Sequence, residues 1–141
     1  MRRSFSNRKQ PEPEAMAIDL KNQFRKKYPE LFDQLILPFS YSFSVGDGWL
    51  KLLNKLCLQL MQDIQETGED CKVIQVKEKF AELRIYCQPR YRNQHRWNLI
   101  NEAREQSAVT CDVCGAAGQL VSSPGWLRTR CMEHPDIPPD Y

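Results

Sequence analysis

Cys111-Asp-Val-Cys114-Gly115 and, further on, Cys131-Met-Glu-His134 are the stretches on which a reading of this chain turns. A Cys-x2-Cys turn brings two thiolates to one ion, and the following glycine relieves the backbone where amides turn back towards sulfur. Sixteen residues separate Cys114 from Cys131. Within them Gln119–Val121 reads as a strand, Ser122-Ser-Pro-Gly125 as a turn and Trp126–Arg130 as a second strand, which folds the second pair back onto the first. The spacing predicts Cys111, Cys114, Cys131 and His134 as the ligands of one structural Zn2+ ion in a closed tetrahedral site. The competing reading is core cysteines at coincidental spacing, and two x2 pairs around a hairpin-length segment weigh against it. Structural zinc in such peptides contributes roughly 10–16 kcal/mol, so a segment with little core of its own would depend on the metal. Four protein ligands leave no position for a catalytic water, and zinc catalysis is not expected.

Upstream, Val45-Gly46-Asp47-Gly48 reads as a turn, with Asp47 as the N-cap of a long helix. Trp49, Leu52, Leu53, Leu56, Leu60 and Ile64 recur at helical spacing on one face, and Leu50, Cys57 and Met61 widen it, so this helix belongs at the centre of the core. Gly68 supplies the stop. Residues 71–87 read as a β-hairpin turning around Lys79, a register that opposes Val73 to Ile85, Gln75 to Leu83 and Cys71 to Cys87. After Pro89, Asn93 to Ser107 reads as a helix burying Trp97, Ile100 and Ala103. Nearer the N-terminus, Ala17, Leu20, Phe24 and Tyr28 mark a helical face that Pro29 interrupts. Leu31, Phe32, Leu35 and Ile36 suggest a further turn or two, and Phe39–Phe43 a short strand. Residues 1–13, basic and ending in Pro11 and Pro13, are expected to form a flexible arm.

The 141 residues carry 41% hydrophobic side chains and a net charge of +2, close to the globular average. No run approaches the ~18 apolar residues of a membrane span, and no apolar stretch follows the basic Met1-Arg2-Arg3-Ser4-Phe5, so a cytoplasmic location and no membrane partner are expected. Six cysteines in a reducing compartment are ligands or core residues rather than disulfides. Cys71 and Cys87 could pair across the hairpin, though two reduced core thiols are the simpler reading. Cys57 reads as packing and His95, among arginines, as a solvated surface residue.

The small net charge hides segregation. Residues 1–29 carry +5, 30–70 carry −5, 71–104 carry +5 and 105–141 carry −3. Signed patches of this kind steer partners more than they shape a fold. The segment Arg84–Trp97 interleaves basic and aromatic residues, among them Arg84, Arg90, Tyr91, Arg92 and Arg96. With Arg2 and Arg3 of the arm it is the candidate surface for a partner or for nucleic acid, where guanidinium groups meet phosphates and rings stack on bases. The plainer alternative packs Tyr86 and Trp97 inward and leaves the arginines to solvent. No Gly-rich phosphate loop, G-x-S-x-G elbow or H-E-x-x-H motif is present, and no catalytic residues are assigned.

Three stretches together carry a resemblance: Gly46-Asp47-Gly48-Trp49 opening a helix, Gln75-Val-Lys-Glu-Lys-Phe80 with Leu83-Arg-Ile-Tyr86, and the Cys-x2-Cys-Gly/Cys-x2-His pairs. Over residues 45–134 the chain resembles a group of small bacterial and bacteriophage (prophage-type) proteins with a C-terminal Cys3His, zinc-ribbon-like segment. The group's pattern prefers Gly-Gly after Lys-Phe, where this chain has Ala81-Glu82. The resemblance implies an accessory protein of a mobile element or its host, of the inhibitor or immunity kind, and supplies no active site.

The expected fold is α+β: a helical N-terminal half, a β-hairpin with a packed helix, and a C-terminal zinc-binding β-hairpin. The expected divisions are a basic arm (1–13), a core domain (14–107) and a zinc-binding segment (108–141). The expected function is that of a non-enzymatic, zinc-stabilised accessory protein that occludes a protein partner. The alternative is a nucleic-acid-binding regulator using the basic arm and the Arg84–Arg96 strip.

Overall fold

The structure, a computed structural model, describes residues 22–35, 42–89 and 93–135. A helical stretch at 22–27 leads into the short helix α1 (Pro29–Phe32), which starts on proline, a residue whose fixed φ suits the first helical position. Then follow β1 (Phe43–Ser44), a 3-10 turn (Asp47–Trp49), α2 (Leu50–Thr67), β2 (Lys72–Lys79), β3 (Glu82–Gln88), α3 (Gln94–Ser107), β4 (Gln119–Ser123) and β5 (Trp126–Arg130). The class is α+β, as expected. β1, β2 and β3 form one sheet in that order, with β1 parallel to β2 and β2 antiparallel to β3, while β4 and β5 form a separate antiparallel pair. No helix among the described residues is long and apolar enough to cross a membrane.

The stripe on α2 does what its periodicity predicts. Trp49, Leu53, Leu56, Cys57 and Leu60 are buried, with Leu50, Leu52, Met61 and Ile64 packed partly against them. The helix ends on Gly68 at φ 73°, where only glycine is unstrained. Around it gather Phe24, Tyr28, Leu31 and Phe32 from the N-terminal helices, Phe43 from β1, Val73 and Val76 from β2, Leu83 from β3, and Leu99 and Ala103 from α3. Phe24, Phe32 and Phe43 meet in tilted and edge-on pairs with centroids 5.7–6.5 Å apart, a favoured geometry for ring quadrupoles.

Several local expectations are corrected. Asp47 does not cap α2: Gly46 is the N-cap of the 3-10 turn, Trp49 that of the helix, and neither cap uses a side chain. The hairpin does not turn on Lys79. Lys79 pairs with Glu82, leaving Phe80-Ala81 as a two-residue turn with φ of 53° and 66°. Val76 therefore faces Ile85 and Glu78 faces Leu83; a register shift between Val73 and Gln75 sets Val73 opposite Cys87. Two-residue hairpins favour positive φ at both turn positions because that twist matches the strands, and glycine or asparagine is the usual choice. Here the Glu78 carboxylate accepts from the Ala81 amide at 2.7 Å, and the Thr129 hydroxyl of β5 donates to the Ala81 carbonyl at 2.8 Å. These two bonds hold the turn in place of glycine.

The face of α3 is also shifted. Asn93 caps it, its side-chain oxygen accepting from the Arg96 amide at 3.1 Å. The buried residues are Arg96, Leu99, Ala103 and Ser107, whereas Trp97 is 45% exposed. An arginine takes the inner place because Asp63 of α2, itself buried, meets it: Arg96 Nε lies 2.6 Å from Asp63 Oδ2. Asn93 donates to the same oxygen at 2.9 Å, and the guanidinium also donates to the carbonyls of Asp70 and Glu69. A buried charge is tolerable when partnered this fully. The expected helix over 14–21, the Ile36 turn, most of the Phe39–Phe43 strand and the arm at 1–13 lie outside the described residues.

Candidate metal centre

β4 and β5 pair from Gln119↔Arg130 to Ser123↔Trp126, with Gly125 at φ 82° in the connecting turn. That hairpin carries Cys131 back to the Cys111–Cys114 turn. The turn is closed by Gly115 N–H donating to the Cys111 carbonyl at 2.9 Å and Cys111 N–H to Ala116 at 2.7 Å, while His134 N–H donates to the Cys131 carbonyl at 3.1 Å. The outcome is one cluster. Single ligand atoms of Cys111, Cys114, Cys131 and His134 all lie within 4.8 Å of one another.

The separations fit a common ion. Cys114 Sγ and Cys131 Sγ are 3.6 Å apart, while His134 Nδ1 is 3.4 Å from Cys131 Sγ and 3.8 Å from Cys111 Sγ. Metal–sulfur bonds of about 2.3 Å in a tetrahedron place sulfurs about 3.8 Å apart. The four residues could therefore hold a metal ion, with His134 ligating through Nδ1. Burial would raise the Cys111 thiol, but the amides of Cys114, Val113 and Cys131 point at its sulfur and, with the neighbouring thiol, bring it down to about 6. Amides aimed at sulfur stabilise the thiolate that a metal requires.

The centre is built onto the core. Gly48 N–H donates to the Asp112 carbonyl at 3.0 Å, and the Trp49 indole donates to the Thr110 carbonyl at 2.8 Å. A β-carbon on Gly46 would stand 2.1 Å from the Asp112 oxygen, and one on Gly48 2.1 Å from the Cys111 oxygen. The Gly-Asp-Gly-Trp motif thus provides room for the metal-site backbone to dock. A line of charges runs beside it. Asp112 pairs with Arg130 at 2.6 Å and with Arg128 at 3.8 Å, and Arg128 reaches Glu78 of β2 at 3.0 Å. Asp112 and Arg130 are both buried. Sequence reasoning missed these residues; the acid inside the Cys-x2-Cys turn and the alternating basic residues of β5 were their only signal.

The other candidates fare differently. Arg96 does not stand on a surface strip: it is 7% exposed and engaged by Asp63. Arg84 is half-buried beside Glu82, its Nη2 3.3 Å from Glu82 Oε1. His95 is exposed, as expected. Arg2, Arg3, Arg90, Tyr91 and Arg92 lie outside the described residues. All six cysteines are free thiols. Cys71 and Cys87 share a side-chain hydrogen bond that lowers the first and raises the second, burial adding to the rise at Cys87. Burial pushes the Cys57 thiol up to about 12.

Comparison with protein-family models, with curated proteins and with solved structures finds no match to this chain. The resemblance to bacterial and phage proteins rests on its motifs alone, and the Cys3His cluster near the C-terminus is the part of it that the structure contains.

Proposed function

We propose that this is a non-enzymatic binding protein in which a zinc ion at Cys111, Cys114, Cys131 and His134 locks the β4–β5 hairpin onto the core, and that the surface formed by the two hairpin tips occludes a protein partner. The donor set suits zinc, since three thiolates and an imidazole in a tetrahedron are a common structural zinc site. A fully ligated ion offers no open position for water, which argues for structure over catalysis. Free cysteines and thiolate ligands suit a reducing compartment such as the cytoplasm.

The observation that carries the partner reading is Phe80. A bulky residue at φ 53° is a backbone outlier, and this one is 65% exposed at the tip of the hairpin. It shares a shallow cleft with Pro124 and Trp126 of the neighbouring tip. Strain of this kind, spent on presenting an aromatic ring to solvent, fits an anchor residue for a protein interface, where aromatic side chains supply much of the binding energy. An accessory role of the mobile-element kind, as inhibitor or immunity factor, is consistent with that anchor and draws on the motif resemblance. The nucleic-acid alternative loses Arg96 to the Asp63 pair, and Arg84 shares the Glu82 carboxylate with Arg104.

The test is affinity capture of tagged, zinc-loaded protein from cell lysate with and without nuclease, alongside the Phe80→Ala variant. One stoichiometric protein retained by the parent and lost from the variant is the expected result. Equal retention by both would remove the hairpin tip from the binding surface. Loss of all captured material on nuclease treatment, with steep salt dependence, would favour the nucleic-acid reading.

A further inference from the structure

A second site lies on another part of the molecule, where the β2–β3 sheet and α3 enclose a cleft of about 570 Å3. On β3, Arg84 and Tyr86 alternate onto the same side. On α3, Trp97, Ile100 and Arg104 follow at spacings of three and four, one face of the helix. All five line the cleft, with Ile74 of β2 beneath.

Charge is in excess there. The Arg84 and Arg104 guanidinium groups both reach a single carboxylate oxygen, Glu82 Oε1, at 3.3 Å and 3.1 Å. Two cations therefore share one anion. Arg84 Nε is buried and has no hydrogen-bond partner among the described residues. A buried donor without an acceptor is uncommon in folded proteins and calls for an explanation. Near it, the Tyr86 and Trp97 rings remain 37% and 45% exposed, so the fold does not consume their apolar surface.

We infer that this cleft binds a small molecule composed of a planar ring and one anionic group, the ring lying against Trp97 and Tyr86 and the anionic oxygen accepting from the Arg84 guanidinium beside Arg104. The volume falls in the range of roughly 300–1,000 Å3 typical of small-ligand sites, and such sites combine apolar walls with a few placed polar groups. With Lys77, Glu69 and Arg96 of the lining and the Asp63 and Glu82 partners of its arginines counted, one positive charge is in excess, which matches one anionic group. The ring and the anion are both required, because Glu82 already competes for the guanidinium groups and a simple anion gains nothing from the walls. This site is independent of the hairpin tip, and either reading can fail without the other.

The experiment is a nitrogen-edited NMR titration of the full-length, zinc-loaded protein. The probes are AMP and UMP, indole-3-carboxylate and 4-hydroxybenzoate, with adenosine, phenol, inorganic phosphate and acetate as single-feature controls. At least one ring-plus-anion probe is expected to shift the Trp97 indole and Arg84 Nε–H signals and to bind at least about tenfold more tightly than either matching control. Which probes succeed, the phosphates or the carboxylates, identifies the anionic group. Arg84→Met and Arg84→Lys are both expected to weaken that binding by about tenfold or more, the lysine variant because it keeps the charge but lacks the planar fork of donors. The Trp49 indole signal, fixed by its bond to Thr110, reports whether each variant is folded. The inference is overturned if no ring-plus-anion probe moves the Trp97 indole by about 10 mM, if folded Arg84→Lys binds as the parent does, or if the shifts gather at Trp126 instead.

Discussion

The backbone of Gly48 lies so close to that of Cys111 that a β-carbon at Gly48 would stand 2.1 Å from the Cys111 carbonyl oxygen. The obstacle is main chain on both sides, so it cannot be relieved by a rotamer change. Gly48→Ala is therefore expected to cost about 2–3 kcal/mol, as overpacking in a tight interior does, and to weaken metal retention as well. Gly68→Ala is the contrast, since nothing lies within 4 Å of that position; only the left-handed φ opposes it, at about 1 kcal/mol. Urea denaturation of both variants, with zinc retention measured against a chromophoric chelator, checks the difference. Similar losses in the two would show that docking space at Gly48 does not matter.

Removing a ligand should dismantle the clasp and spare the centre of the core. Cys111→Ser or Cys131→Ser is expected to lose most of one zinc equivalent by elemental analysis. Amide exchange should rise across 110–134 while Leu53, Leu56 and Leu60 on α2, buried in the central cluster, remain protected. Full zinc occupancy in both variants would refute the ligand set.

The Asp63–Arg96 pair ties α2 to the start of α3. Removing either partner leaves a buried charge without its counterpart, a loss of roughly 3–5 kcal/mol. Asp63→Leu with Arg96→Met is expected to recover most of that loss, because two apolar side chains of similar size leave no charge stranded. Thermal and urea unfolding of the two single variants and the double variant give the coupling directly, and additive losses would mean that the two residues act separately.

Cys57 is expected to resist alkylation. Burial raises its thiol to about 12, so at pH 8 only about one molecule in ten thousand carries the reactive thiolate. The folded protein holds this proton more tightly than the unfolded chain does. Stability from this group is then fully present below the ordinary thiol value of about 9 and is lost as pH rises from there towards 12. Mass spectrometry of iodoacetamide-treated native protein across that range measures both effects; rapid labelling of Cys57 at pH 8 would contradict its burial.

Phe80→Gly separates stability from binding. Glycine adopts the left-handed turn without strain, which should stabilise the hairpin by roughly 0.5–1 kcal/mol, while removing the ring proposed as an anchor. A variant that melts higher and captures less partner is the expected result, and a lower melting point would mean that Phe80 contributes to the fold.

The long apolar stripe of α2 and the four-ligand spacing were legible because each follows a period or a spacing that local chemistry enforces. The hairpin register was not. Alternation along 71–87 carries no mark of the irregularity between Val73 and Gln75, and Phe80-Ala81 lacks the glycine or asparagine that normally announces a two-residue turn. The stabilising groups, Glu78 and Thr129, include one from a strand 48 residues away. The exchange of Trp97 for Arg96 on the inner face of α3 was hidden for a similar reason. Hydropathy buries the tryptophan, and only Asp63, set one turn beyond Leu60 on an apolar face, hints that a cation must come inward. Gly46 and Gly48 read as a turn, yet their role is to leave room for a segment that no local pattern connects to them.

The docking of Cys111 and Asp112 onto Gly46 and Gly48 joins an early part of the chain to a much later one. On the ribosome, the helix that begins at Leu50 is made well before the cysteines that cover its entrance. A chain cut short before Thr110 would keep that seat uncovered and deprive the Trp49 indole of its acceptor. Such unfinished molecules are the ones that cellular proteases remove. The Trp49–Thr110 bond would then mark which copies of the chain had been finished.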